Sequence, residues 1–151
     1  MIPINDYRQF IAELTAKASD LSGVPVASVR LAVTESQLVT LLKDLKGIIV
    51  CGNIPGGKIT TVDYWRTEHD CLLMVLEKMP ADWQGTEMEN AELERMQRLM
   101  QQLARLIAGE DFHDFCDRAD LDRSAPMNVE WEYNQYGGLH GLSVTFKLLS
   151  S

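Results

Sequence analysis

The segment Cys71–Leu76 is a run of six consecutive apolar residues, and it constrains the possible folds of this chain strongly. Side chains of a β-strand alternate between the two faces of its sheet, so a strand without polar positions has no face suited to solvent. The run therefore predicts a central strand that is covered on both sides. Pro80, Trp83 and Gly85 are predicted to break the chain after it.

Other segments carry apolar residues at steps of three and four, which is the spacing of an amphipathic helix. Helix caps and glycine stops bound the four predicted helices: one from Asn5 or Asp6 to Gly23, one from Thr34 to Gly47, one from Thr86 to Gly109, and a shorter one at Asp111–Ala119. Thr34 with Gln37, and Thr86 with Glu89, have the spacing of a capping box, in which each residue satisfies a free backbone donor of the other.

Further segments favour extended backbone. They are Val29–Val33, Ile48–Cys51, Lys58–Trp65, and two runs near the C-terminus that alternate apolar and polar residues, Met127–Tyr133 and Leu142–Leu148. The two alternating runs flank Gly137 and Gly138, which predicts an antiparallel hairpin with one face toward solvent. Arg66–Glu68 is predicted to be a turn that leads into the central strand.

These elements predict an α+β fold, in which amphipathic helices pack on a mainly antiparallel sheet of five to six strands. A length of 151 residues suits a single globular domain, 1–151. Hydrophobic residues make up 46% and charged residues 24% of the chain, which is typical of globular proteins and argues against disorder.

The net charge of −8 repels phosphate backbones, so we expect no nucleic-acid partner. Cys51, Cys71 and Cys116 form no CxxC motif, which favours reduced thiols and a cytoplasmic location. Met1–Arg8 lacks the cationic and apolar regions of a signal peptide, and no segment approaches the ~18 apolar residues of a membrane helix. We therefore expect no membrane partner.

Two motifs partly match functional patterns, one of a phosphate-binding loop and one of a catalytic cysteine, but each lacks a required feature. Gly52–Lys58 has the spacing GxxxxGK of a phosphate-binding loop, but Ile59 stands where a hydroxyl should hold magnesium, and a strand is predicted where the helix should begin. His69 and Cys71 share a strand face, away from Asp70, and Cys71 belongs to the buried run, so a core thiol is the better interpretation.

The acidic segment 110–122 surrounds His113 and Cys116, which are three residues apart and are predicted to share a helical face. Two such ligands suit a soft divalent ion, but a zinc site needs three or four. A solvated helix face is the simpler interpretation. We expect no cofactor and assign no metal or catalytic residue, and cation binding by this segment stays open.

Aromatic residues near strand ends and hairpin tips are typical of interfaces, because they bury much area at little entropic cost. Trp131, Tyr133 and Tyr136 belong to the predicted hairpin, and His140 lies beside its turn. These four residues are the candidate protein interface.

The order of the predicted elements, with the apolar strand in His69–Pro80 and the glycine-containing final strand in Tyr136–Leu148, resembles small prophage-encoded tail-completion proteins of the tail-terminator type. The resemblance implies a tail or virion assembly protein that acts through oligomeric contacts and has no chemistry of its own. It would be cytoplasmic or part of a virion. No functional residue is carried over.

The sequence thus favours a non-catalytic structural or assembly subunit with protein partners, self-association included. Two alternatives stay open. One is a small-ligand or regulatory binding domain with a pocket between sheet and helices. The other is a metal-assisted enzyme that uses His113, Cys116 and nearby acids.

Overall fold

The computed structural model describes residues 1–60 and 66–151. These residues form four α-helices, which are α1 (Ile4–Ser22), α2 (Glu35–Leu42), α3 (Glu87–Ala108) and α4 (Phe112–Phe115), with a short 3-10 turn at Ala81–Trp83. They also form seven strands, which are β1 (Ser28–Ala32), β2 (Ile49–Asn53), β3 (Lys58–Thr60), β4 (Arg66–Lys78), β5 (Asp120–Leu121), β6 (Asn128–Gln135) and β7 (Leu139–Ser150).

All seven strands belong to one sheet, in the order β1, β2, β4, β7, β5, with β3 beside β4 and β6 beside β7. The α+β class is confirmed, and most strand pairs are antiparallel as predicted, but one pair is parallel and the sheet has seven strands where five to six were predicted. The sheet is mixed, because β1 and β2 are joined through α2, and a helical crossover returns the chain parallel to its first strand. The strand beyond the predicted six is the two-residue β5, which pairs with the end of β7.

The central strand predicted from the apolar run is confirmed as part of β4, which pairs with β2 and β3 on one side and with β7 on the other. The turn predicted at Arg66–Glu68 is wrong. These residues begin β4, because their main chain pairs both with β3 and with the end of β7. Of the predicted strand Lys58–Trp65, β3 is described, and residues 61–65 lie outside the described residues.

At two glycines of the neighbouring strands there is no room for a Cβ against β4. A Cβ at Gly52 of β2 would collide with the carbonyl oxygen of Leu72, and a Cβ at Gly141 of β7 would collide with that of Val75. Both strands therefore need a residue without a side chain at these points.

The core has one layer on each face of the sheet. Helices α1, α3 and α4 cover the first face, which we call the three-helix face, with Phe10, Leu99 and Phe146 among its buried side chains. Helix α2 covers part of the opposite face, which we call the α2 face. Cover on both sides explains why β4 needs apolar residues at successive positions.

The predicted helix starts are close to the observed ones, and two predicted ends are wrong. Helix α2 ends before Lys43, which is extended, although Gly47 was its predicted stop. Helix α4 has only four residues, because the backbone is extended at Cys116 and then leads into β5. None of the helices that the described residues form is long and apolar enough to cross a lipid bilayer.

Both capping boxes form in a modified way. The hydroxyl oxygen of Thr86 accepts the backbone N–H of Glu89 at 3.4 Å, as predicted. The Glu89 carboxylate accepts from the backbone N–H of Gly85, one residue earlier than the usual partner. Gln37 reaches the N–H of Val33 in the same way. Glu89 is thereby fixed at the start of α3, beside the end of the sheet that carries β6.

Candidate protein interface

Strand β6 lies at the edge of the sheet. Among the described strands it pairs with β7 alone, so its outer side carries backbone N–H and C=O groups that no other described strand covers. None of its eight residues is buried. Exposed backbone of this kind is a template for pairing with another chain.

One side of β6 carries three large apolar side chains that are half exposed. Val129 is 48%, Trp131 is 55% and Tyr133 is 49% exposed, and we call these three residues the edge stripe. Val129 lies opposite Val144 and Trp131 lies opposite Leu142, so the edge stripe belongs to the three-helix face. The helices do not extend far enough to cover it.

Tyr133 and His140 are brought together at the start of α3. Their rings are 4.3 Å apart, and Nδ1 of His140 accepts the backbone N–H of Asn134 at 2.9 Å. The Tyr133 hydroxyl donates to the Glu89 carboxylate at 3.4 Å. Partial desolvation and the negative charge of Glu89 raise the pKa of Tyr133, so its hydroxyl stays a donor at neutral pH.

The hairpin between β6 and β7 is irregular. A β-bulge lies between Glu132 and Gln135, and Asn134 and Tyr136 both adopt left-handed backbone conformations, with φ of 55° and 47°. A bulge increases the local twist, which limits how long a partner strand can run along the edge. Tyr136 packs in the layer under α2 and does not join Trp131, Tyr133 and His140.

The α2 face of β6 is acidic. Glu130 is exposed, and Glu132 accepts from the Ser143 hydroxyl at 2.8 Å and the Gln135 amide at 3.1 Å. In the described part of the chain, neither these two carboxylates nor Glu89 forms an ion pair with a cation. Glu132 and Glu89 instead accept hydrogen bonds from neutral donors.

A second pair of acids lies between the sheet and α3. Burial and a hydrogen bond with Glu92 raise the pKa of Glu77 to about 7. The hydrogen bonds from Glu77 and Arg95 lower the pKa of Glu92 despite its partial burial, and Arg95 lies 3.0 Å from it. The pair therefore shares a proton near neutral pH. On the sheet, Glu77 lies opposite His140.

One buried polar group was missed by the sequence analysis. Nε2 of His69 is 2.7 Å from the Ser150 hydroxyl, and Nδ1 is 2.7 Å from the carbonyl oxygen of Gly56. Because a carbonyl oxygen only accepts, Nδ1 donates to Gly56, and Nε2 forms the second hydrogen bond with the Ser150 hydroxyl. Both side chains are buried, so the arrangement ties the loop before β3 to the end of β7.

The segment with the phosphate-loop spacing is built differently from a nucleotide site. Gly52 and Asn53 belong to β2, and Lys58 begins β3, so no helix N-terminus follows the loop. Asn53 instead extends the pairing of β2 with β4, since its side chain bonds to the carbonyl of Asp70 and the N–H of Leu72.

His113 and Cys116 do not point in the same direction. Nε2 of His113 is 3.1 Å from Asp120 at the surface, whereas Cys116 is buried, and burial raises the pKa of its thiol. Within residues 1–60 and 66–151, no group of three or more His, Cys, Asp or Glu side chains is arranged to hold a metal ion.

Two hollows lie on the α2 face of the sheet. A cavity between α2 and the sheet, with Leu38 and Tyr136 in its lining, measures about 250 Å³, below the roughly 300–1,000 Å³ usual for ligand sites. A hollow of about 480 Å³ on the same face contains Asp70 and Lys147, which lie 3.8 Å apart. We therefore take the edge of β6, and not these two hollows, as the candidate binding surface.

Comparisons with known proteins identify no family for this chain. No protein-family model matches the chain, and no curated protein matches it. The resemblance to tail-completion proteins stays a prediction from the order of elements. The candidate interface rests on the geometry of β6 and its neighbours.

Proposed function

We propose that this protein is a non-catalytic assembly subunit that docks onto other proteins through the outer edge of β6. The observation that carries the proposal is the combination of unpaired edge backbone with the half-exposed edge stripe. Main-chain hydrogen bonds would supply affinity to an added strand, and alternate side chains would supply specificity.

The aromatic members of the edge stripe support this function. Trp and Tyr are enriched among the residues that dominate binding energy at protein interfaces. Tyr133 is held in place by Glu89 and His140. A side chain that is already ordered loses little entropy when a partner arrives, which favours binding.

Tail assembly is the setting that we propose for this docking. The order of elements resembles tail-completion proteins, and such proteins act through contacts between subunits. An exposed strand edge fits that task, because it offers a repeatable geometry for joining one sheet to the next.

The proposal is tested by site-specific photo-crosslinking in the organism that encodes the chain. A photoreactive residue replaces Trp131 in one version, and Leu21 of α1 in the control, because these two side chains are similarly exposed at 55% and 51%. We expect discrete protein adducts from position 131, and their loss when Tyr133→Ala is added. Equal adducts from both positions, or none from position 131, contradict the proposal.

A further inference from the structure

We infer that the occupant of the β6 edge is an extended segment of a different protein, with Lys or Arg at alternate positions and apolar residues between them. This inference rests on the function proposed above and specifies the partner. The basic side chains would face Glu130 and Glu132, and the apolar side chains would continue the edge stripe.

The charges around β6 favour a basic partner. Glu130 is exposed, and within the described residues the Glu132 carboxylate is bonded to the Ser143 hydroxyl and the Gln135 amide and to no cation. Opposite charges directly across two strands stabilise their pairing, and like charges destabilise it. A partner strand with cations opposite Glu130 and Glu132 would therefore be stabilised at these two positions.

The same acids disfavour a second copy of the chain. Residues directly opposite each other in an antiparallel pair share a sheet face. If two copies of β6 pair about Trp131, Glu130 of one copy lies opposite Glu132 of the other. Moving the centre of pairing to Glu130 or to Glu132 places that residue opposite its own copy.

In all three antiparallel registers, centred on Glu130, Trp131 or Glu132, a glutamate of one copy therefore lies opposite a glutamate of the other. The net charge of −8 on each copy adds repulsion over a longer range. An edge strand with inward or opposed charges is a known means of avoiding self-pairing. A partner with the opposite charge does not meet this barrier.

The apolar side of β6 determines the spacing of apolar residues along the partner strand. Val129, Trp131 and Tyr133 are two residues apart along β6, so they project to one face in a row. A partner strand with apolar residues at the same spacing would cover them. Alternation of basic and apolar residues along the regular part of β6, before the bulge that follows Glu132, is thus the pattern that both faces require together.

The test uses fluorescent peptides of the same length as β6 and the purified full chain. One peptide alternates lysine and valine, a second alternates glutamate and valine, and a third is the lysine peptide with N-methyl groups on alternate amides. We expect fluorescence anisotropy to show binding of the lysine peptide only. Added salt should weaken that binding, because the charges are near the surface.

Charge reversal provides the matched test on the protein. Glu130→Lys is expected to lower the affinity for the lysine peptide about threefold to tenfold and to raise the affinity for the glutamate peptide. Glu13→Lys, on the exposed side of α1, changes the net charge equally and should leave both affinities unchanged. Circular dichroism of both variants checks that they are folded.

The possible outcomes separate this inference from the proposed function. Failure of the lysine peptide to bind, or equal binding of the lysine and glutamate peptides, overturns the basic partner. Light scattering that shows a dimer abolished by Trp131→Ala identifies a second copy as the occupant and also overturns it. In these cases the crosslinks from position 131 still decide, separately, whether β6 is a docking edge.

Discussion

The two strands of the C-terminal hairpin differ sharply in burial, although both alternate apolar and polar residues. In β7, nine of twelve residues are buried, including Leu142, Val144, Phe146 and Leu148. In β6 no residue is buried, and the edge stripe is about half exposed. The two strands are paired with each other, so they share the same faces.

The difference shows that burial depends on the position of a strand in the sheet. Strand β7 lies between β4 and the outer strands β6 and β5, and α3 packs on it. Among the described strands, β6 has a neighbour on one side only. An apolar side chain at the edge therefore keeps part of its surface in water, where a partner protein can still cover it.

The largest effect is expected from a truncation in β7. Phe146→Ala removes a side chain that is only 3% exposed and packed in the three-helix core. We expect the free energy of unfolding to fall by about 3–5 kcal/mol, as measured by urea denaturation. A loss below about 1 kcal/mol would show that β7 is less tightly packed than its burial indicates.

A smaller loss is expected at the far end of β7. Ser150→Ala leaves Nε2 of buried His69 without its hydroxyl partner, which should cost about 1–3 kcal/mol of stability. Ser151→Ala is the control, because its side chain is exposed. Equal stability of the two variants in denaturant would contradict a structural role for the hydrogen bond.

Glu77→Gln should stabilise the protein, and the gain should depend on pH. Since burial and Glu92 raise the pKa of Glu77 to about 7, the folded protein binds this proton more tightly than the unfolded chain does. The contribution of Glu77 to the free energy of unfolding therefore falls as pH rises from about 4.5 to 7. Arg95 opposes the shift, and His140 lies opposite Glu77 on β7.

In Glu77→Gln the contribution of residue 77 to the free energy of unfolding does not fall as pH rises, because the glutamine side chain stays neutral and still donates to Glu92. We expect the stability of this variant to exceed that of the wild type by about 1–2 kcal/mol at pH 8, after allowing for solvent screening of this partly buried group. The difference should vanish near pH 4. Thermal unfolding across this pH range measures it, and a difference independent of pH would argue against a shared proton.

The smallest change in stability is expected in β6. Trp131→Ala removes a side chain that is 55% exposed, so we expect a loss of no more than about 1 kcal/mol in urea denaturation. The same variant should lose binding of the lysine peptide. A loss of stability near that of Phe146→Ala would mean that the edge stripe serves the core and not a partner.

Local sequence signals predicted much of the fold. The spacing of apolar residues identified α1, α3 and the hairpin, and Thr86 marked the start of α3 because its hydroxyl accepts a nearby N–H. The parallel pairing of β1 with β2 had no local signal. Arg66–Glu68 was predicted to be a turn because a short polar segment beside an apolar run has the same sequence pattern whether it is a turn or the exposed end of a long strand.

The candidate interface could be predicted only in part. Alternation placed Trp131 and Tyr133 on one face, but it could not show that this face is uncovered, nor that Tyr136 packs in the opposite layer. His69 and Ser150 are 81 residues apart, and no spacing rule connects them. Such contacts depend on how the strands are ordered in the sheet.

The close approaches at Gly52 and Gly141 bear on how the sheet opens. Any slide of β2 or β7 along β4 would carry a residue with a side chain to a point where only hydrogen fits. The glycines therefore oppose a change of register between β4 and its two neighbours. The amide hydrogens of these three strands should exchange with solvent in a single cooperative opening, while β6 opens more often and alone.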